Sequence, residues 1–188
     1  KTIYDLMLMR VDAITPHQLM MLNGAELNTE YTRNKYDFVT KYRVLTRDFS
    51  IIDSNYIVEV EEVLVQTKDL SYDDYLYARQ VHFVLGMINN PGLNIIINLI
   101  IDLKLNPLEL LRFIIDNKGI SEIETKCQSI ISNFTKDTRE ELFDDEQDMI
   151  KYYSIKENFN KLVEGIEGKN LLQTHITGWI SSDIKVMI

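Results

Sequence analysis

The side chains with the most chemical potential in this sequence are few and scattered. One cysteine, Cys127, and three histidines, His17, His82 and His175, are the only thiol and imidazole groups. A lone cysteine makes no internal disulfide and cannot supply a multi-cysteine zinc or iron–sulfur site. No two histidines stand at a metal-ligand spacing. Cys127 falls mid-helix among Ile123, Ile130 and Ile131, which reads as a buried structural thiol rather than a nucleophile. The acidic run Asp144-Asp145-Glu146-Gln147-Asp148 invites a cation. It lacks the alternating Asp/Asn ligands and central glycine of a calcium loop, and reads instead as a solvated helix face. With no nucleophile elbow or phosphate-binding glycine loop, a free-standing hydrolase or transferase is not indicated.

Charge narrows the classes further. A net charge of −9 argues against nonspecific nucleic-acid binding, which rests on clustered Lys and Arg, and against docking on anionic membrane. Hydrophobic content of 45% beside 26% charged residues is that of a globular chain, and 188 residues can bury a core as one domain or two small ones. The chain starts at Lys1 without an initiator methionine or a signal peptide, so a fragment of a longer cytoplasmic protein is expected.

The elements that must position any site centre on Ile57 to Asn90. IVEVEEVLVQT reads as a half-buried strand. Its alternation holds at Val58 and Val60 and slips at Glu61-Glu62, after which Val63 and Val65 take the other phase. That slip suggests a bulge or a strand leaving its sheet, with a helix as the alternative. Ser71 then opens a strong helix, with Asp73 and Asp74 in its first turn and Ser71-x-x-Asp74 as a capping box. Tyr72, Tyr75 and Leu76 form its buried stripe, and from Val81 to Ile88 it is apolar nearly all round. His82 there reads as a satisfied core or rim histidine.

Upstream, KTIYDLMLMRVDAI has a helical apolar pattern. HQLMML is either a short helix entered through Thr15-Pro16 and stopped by Asn23-Gly24, or a buried strand. Asn28 can cap a polar helix over TEYTRNKYD, KYRVLTRDFS is β-prone, and Asp53-Ser54-Asn55 marks a turn. Downstream, Asn90-Pro91-Gly92 breaks the chain before a run from Leu93 to Leu103 that is too short to span a bilayer; it is expected to be a fully buried helix, or else part of an apolar partner groove. Asn106-Pro107 opens the next helix and Gly119 ends it. Ser121-x-x-Glu124 and Thr138-x-x-Glu141 read as capping boxes that open helices over EIETKCQSIISNF and REELFDDEQDMIKYY, and Ser154-x-x-Glu157 as a third. The last of these opens a helix burying Phe159, Leu162, Val163 and Ile166 on one side and ended by Gly165 and Gly168. A final helix breaks near Gly178, with Trp179 buried. The expected class is mainly α (α+β): a short mixed N-terminal part with a few strands over 1–67, then a multi-helix orthogonal bundle over 68–188.

Four stretches carry a resemblance. Gly24-Ala25-Glu26 follows a leucine-rich run, Arg43-Val44-Leu45-Thr46-Arg47 comes next, then Glu61-Glu62-Val63-Leu64, and Ser71 through Tyr75 with Arg79 opens a helix. This order resembles the C-terminal part of radical SAM proteins of the cobalamin-binding type. There a strand ending in Gly-Thr-Glu precedes an Arg-Val-Leu-Pro-Arg segment, an acidic strand and a Ser/Pro-x-Glu/Asp-Asp-Tyr helix opening. KENFNKLVEGIEGKNLL also resembles a helix near the end of such proteins. The likeness spans about half of the chain, and its motifs are mostly structural. Ala25 stands where threonine is usual and Asp48 where a cysteine or small residue is common, which weakens any transfer of a binding role.

The resemblance implies an accessory domain of such an enzyme, catalytically inert by itself. Its partner would be the rest of the parent chain, whose barrel it caps, and HQLMML would be the last barrel strand. S-adenosylmethionine, a 4Fe–4S cluster and cobalamin would be cofactors of the parent, with none in this fragment. Gln18, Gly24 and Glu26, with Arg43 and Arg47 just after, would face the substrate, an arginine binding a carboxylate or phosphate. An edge strand cut from a barrel would be adhesive, so a dimer through that edge is expected. The alternative is an independent helical module that offers an apolar groove to a partner helix.

Overall fold

The computed structural model describes residues 2–11, 13–88, 94–116 and 122–181. The expected breaker Asn90-Pro91-Gly92, the helix stop Gly119, the capping position Ser121 and the side chain of Trp179 lie outside the described residues. The chain is mainly α with a β-ribbon. Its elements are α1 Thr2–Leu8, α2 Glu30–Tyr36, β1 Val39–Ile52, β2 Asn55–Gln66, α3 Tyr72–Ile88, α4 Asn94–Asp102, α5 Pro107–Asp116, α6 Glu122–Glu140, α7 Glu146–Tyr153, α8 Lys156–Val163 and α9 Leu171–Ser181. None of the described helices is long and apolar enough to cross a membrane. The chain divides into two compact units. The ribbon unit holds His17–Leu76 and Asp137–Leu171; the helical unit holds Lys1–Pro16, Tyr77–Lys136 and Leu172–Ile188.

In the ribbon unit β1 and β2 pair antiparallel across a two-residue turn, with Asp53 and Ser54 at φ 49° and 66°. Both left-handed, these residues form the turn whose twist matches that of the flanking strands. Opposed residues share a face, and the ribbon buries both faces. Val44, Phe49, Tyr56, Val58 and Val60 pack against Met149 and Tyr153 of α7 and Phe159 and Leu162 of α8. Val63 and Val65 pack on the other face, against Tyr75 and Leu76 at the start of α3. This explains the phase slip at Glu61-Glu62: β2 changes the face it buries while its register continues. The bulge expected there is absent, since Tyr42, Arg43 and Val44 pair in order with Glu62, Glu61 and Val60, and the helix alternative is not realised. The register shifts instead between Val39 and Thr40 and between Val44 and Phe49.

Both edges of the ribbon are extended by short stretches. Met21 N–H donates to Glu62 O (2.9 Å) and Leu64 N–H to Leu19 O (3.0 Å), so HQLMML is extended along β2 and not a helix. On the outer edge of β1, Tyr42 and Phe143 exchange backbone bonds of 2.9 and 2.8 Å. That pairing interrupts the helix expected over REELFDDEQDMIKYY, of which only the part from Glu146 to Tyr153 is realised, as α7. Thr138 is instead fully buried inside α6, which runs on to Glu140, and Asp145 caps α7 by accepting from Asp148 N–H (3.0 Å). The acidic run is thus a helix start, where anions suit the dipole.

Other capping expectations fare unevenly. Ser71 and Asp74 form the reciprocal box, Asp74 N–H to Ser71 Oγ at 3.1 Å and Ser71 N–H to Asp74 Oδ2 at 3.0 Å. Asn106 accepts from Leu108 N–H (3.0 Å) with Pro107 in the first helical position. The cap of α2 is Thr29 rather than Asn28, and Ser154 closes α7 rather than opening α8, whose cap residue is Ile155. Gly165 and Gly168 both adopt left-handed φ after α8. Val163 and Ile166 are exposed, leaving Phe159 and Leu162 as its buried pair.

In the helical unit, Phe83 and Phe134 stack at 4.6 Å between centroids and His175 meets both edge-on. Such aromatic pairs add roughly 1 kcal/mol beyond area burial. Two expectations fail here. Only Ile97 of α4 is fully buried, while Ile95 and Leu99 are 69% and 55% exposed. And α9 runs unbroken through Gly178.

Candidate functional site

Polar chemistry collects in the ribbon unit, where consecutive residues of β2 place one carboxylate on each face. A buried charge is tolerated only when paired and hydrogen-bonded, so each glutamate requires a cation. Glu61, on the α3 side, is the register partner of Arg43; the guanidinium binds it through Nε and Nη2 and donates from Nη1 to Glu141 Oε1 at 3.1 Å. All three side chains are less than a fifth exposed. Burial works against the charge on Arg43, but Glu141 and Glu61 outweigh it, and its pKa stands above the usual value.

Glu62, on the opposite face, accepts from Arg33 Nη2 at 2.8 and 2.7 Å and from the Thr40 hydroxyl at 2.6 Å. Arg33 also donates to Asn28 Oδ1 (2.8 and 2.6 Å), whose amide donates to Met21 O and Leu22 O, both at 3.2 Å. One network therefore fixes the loop before α2 to the ribbon. Burial and then the Glu62 charge raise the pKa of Tyr42.

The expected site residues fall in three places. Gln18 donates to the Tyr75 hydroxyl at 2.5 Å, and Tyr75 lies close enough to Arg43 to act on its charge. Gly24 is left-handed at φ 80° in the exposed turn after Leu22, and the exposed Glu26 opens a tight helical turn whose carbonyl accepts from the Thr29 and Thr32 hydroxyls. Arg47 is exposed on β1 at φ 68°. Sequence reasoning missed Glu61, Glu62, Glu141, Arg33 and Tyr75. Its available signal was the Glu-Glu pair inside a strand flanked by valines, since both glutamates there must find partners.

What this arrangement can do is hold a shape. An arginine bound by two carboxylates neither titrates nor attacks in the working pH range. In the helical unit the Arg79 guanidinium sits 5.3 Å over the Phe134 ring and 3.3 Å from His82 Nδ1, a cation packed on an aromatic face. A cavity of about 90 Å³, lined by Met7, Ile14, Leu85, Ile97 and Asn98 among others, is well below the roughly 300 Å³ of small-molecule sites. Among the described residues no cluster of three His, Cys, Asp or Glu side chains could hold a metal ion.

Comparison with known proteins adds no neighbour. No protein-family model matches the chain, nor does any curated sequence or solved structure.

Proposed function

We propose that this chain is the C-terminal accessory part of a cytoplasmic radical SAM enzyme of the cobalamin-binding type, capping its barrel and shaping the substrate cavity. The resemblance in sequence suggests it, and one observation supports it. Leu19–Met21 pairs with β2 on one edge, no strand among the described residues pairs with the other, and Leu19, Met20 and Leu22 stand 47%, 39% and 61% exposed. An apolar extended segment open on one edge suits the last strand of a larger sheet. The chain's own residues do not fit the cluster: one cysteine cannot ligate a 4Fe–4S cluster in the three-cysteine manner. Titrating this chain with S-adenosylmethionine in a calorimeter should give no binding heat; a micromolar isotherm would overturn the reading of an inert domain.

A second reading draws on α4. Ile95 and Leu99, with Leu103 just past its end, recur every four residues and stand 69%, 55% and 61% exposed, a ridge suited to a partner helix. On this reading the chain is an independent interaction module. Crosslinking the full-length product separates the two, because the first expects contacts from Leu19–Leu22 to the same polypeptide and the second contacts from α4 to another.

A further inference from the structure

We propose that the bulge Leu45–Asp48 of β1 is a recognition point that holds Arg47 out to an oxyanion, a carboxylate or a phosphate. These four residues stand opposite Glu59 alone, between the Val44–Val60 and Phe49–Val58 pairs. Both flanks are anchored. Val44 is buried, and Phe49 meets the Phe159 ring edge-on at 5.6 Å, so the excursion is not a fraying end. All four bulge residues are exposed, so it covers no core. Its product is a change of side-chain direction, the use of bulges beside binding sites. At φ 68° Arg47 holds a left-handed backbone that glycine would adopt without strain. The two arginines of the motif therefore differ in role. Arg43 is engaged by Glu61 and Glu141, whereas Arg47 makes no ion pair or side-chain hydrogen bond among the described residues. A planar guanidinium fork on an anchored bulge matches two oxygens of one carboxylate or phosphate group.

The inference deepens the accessory-domain reading and rests on it only for where the anion would come from. The test is the side-chain Nε–Hε resonance of Arg47, followed by NMR in this chain during titrations with inorganic phosphate and with glutarate at constant ionic strength. A saturable millimolar shift at Arg47, absent at the exposed Arg112 and Arg139 and lost in Arg47→Gln, is expected; saturation by one probe alone names the class. Equal, unsaturated shifts at all three arginines overturn the proposal. Arg47→Gly should raise the thermal midpoint while abolishing the response. A lowered midpoint would mean the arginine serves the fold, and would also overturn it. An iron-free parent protein would remove the accessory-domain reading and leave this titration standing.

Discussion

Arg43 lies directly across the ribbon from Glu61, and the same guanidinium reaches Glu141 just past the end of α6, 98 residues along the chain. One side chain thus fixes the strand register and ties it to the segment that pairs with the outer edge of β1.

Removing that cation leaves two carboxylates facing each other where each is less than a fifth exposed. Arg43→Met should destabilise the chain by about 3 kcal/mol, near the lower end for breaking a buried ion pair. Arg47→Ala should change stability by less than about 0.5 kcal/mol, as at an exposed site. Urea unfolding followed by circular dichroism measures both, and equal losses would show that Arg43 is not the register lock.

Tyr153 gives an alkaline signature. Burial first, then the charge of Glu167 whose Oε2 accepts from the phenol at 3.0 Å, holds its pKa well above 10. A folded-state value raised above the unfolded one leaves stability intact below about pH 10 and removes it as the pH climbs toward the folded value. Tyr153→Phe should flatten that decline in melts between pH 9 and 11. An unchanged slope would contradict the assignment.

At Gly168 two effects coincide. Its φ is 64°, and a Cβ there would stand 2.7 Å from Leu162 Cδ2, inside the core of the ribbon unit. Gly24, at φ 80°, has open space around it. Gly168→Ala should therefore cost more than Gly24→Ala, about 2 against about 1 kcal/mol, from left-handed strain plus crowding and from strain alone. Parallel denaturant curves would show it, and a reversed order would contradict it.

Much of the fold was legible before the structure, and the misses share a cause. The Ser71 box, the Asn106-Pro107 opening, the turn at 53–54 and the left-handed glycines after α8 are local devices, each readable within a few residues. Thr138 and Ser154 carry the same local signal, yet tertiary pairing overrides it. Phe143 is drawn to the edge of β1, so α6 continues through Thr138 and the next helix starts late at Asp145. The Glu61-Glu62 slip was visible, but its reason lay in two separate helical partners, one for each face. Of the candidate site, Arg43 could be named; its carboxylates, one across the strand and one 98 residues away, could not be paired without the fold.

The exposed ridge of α4 makes a contrast within one helix. Leu99→Gln should cost less than about 0.5 kcal/mol, whereas Ile97→Ala, at a buried site, should cost about 2–4 kcal/mol. A Leu99 loss as large as that at Ile97 would return α4 to the fully buried helix that its composition suggested.

The outer edge of Leu19–Met21, which no described strand covers, should make the isolated chain associate through strand pairing at high concentration. Light scattering across a hundredfold dilution should show a dimer that Met20→Pro abolishes. A strict monomer throughout would contradict this.

The most direct test of the accessory-domain account is iron in the whole gene product. Purified anaerobically, the full-length polypeptide should carry an iron–sulfur chromophore that is lost on mutating cysteines upstream of Lys1 and retained when everything after Thr67 is deleted. A full-length product with no iron and no upstream cysteine triad would contradict the account and leave the interaction module as the better reading.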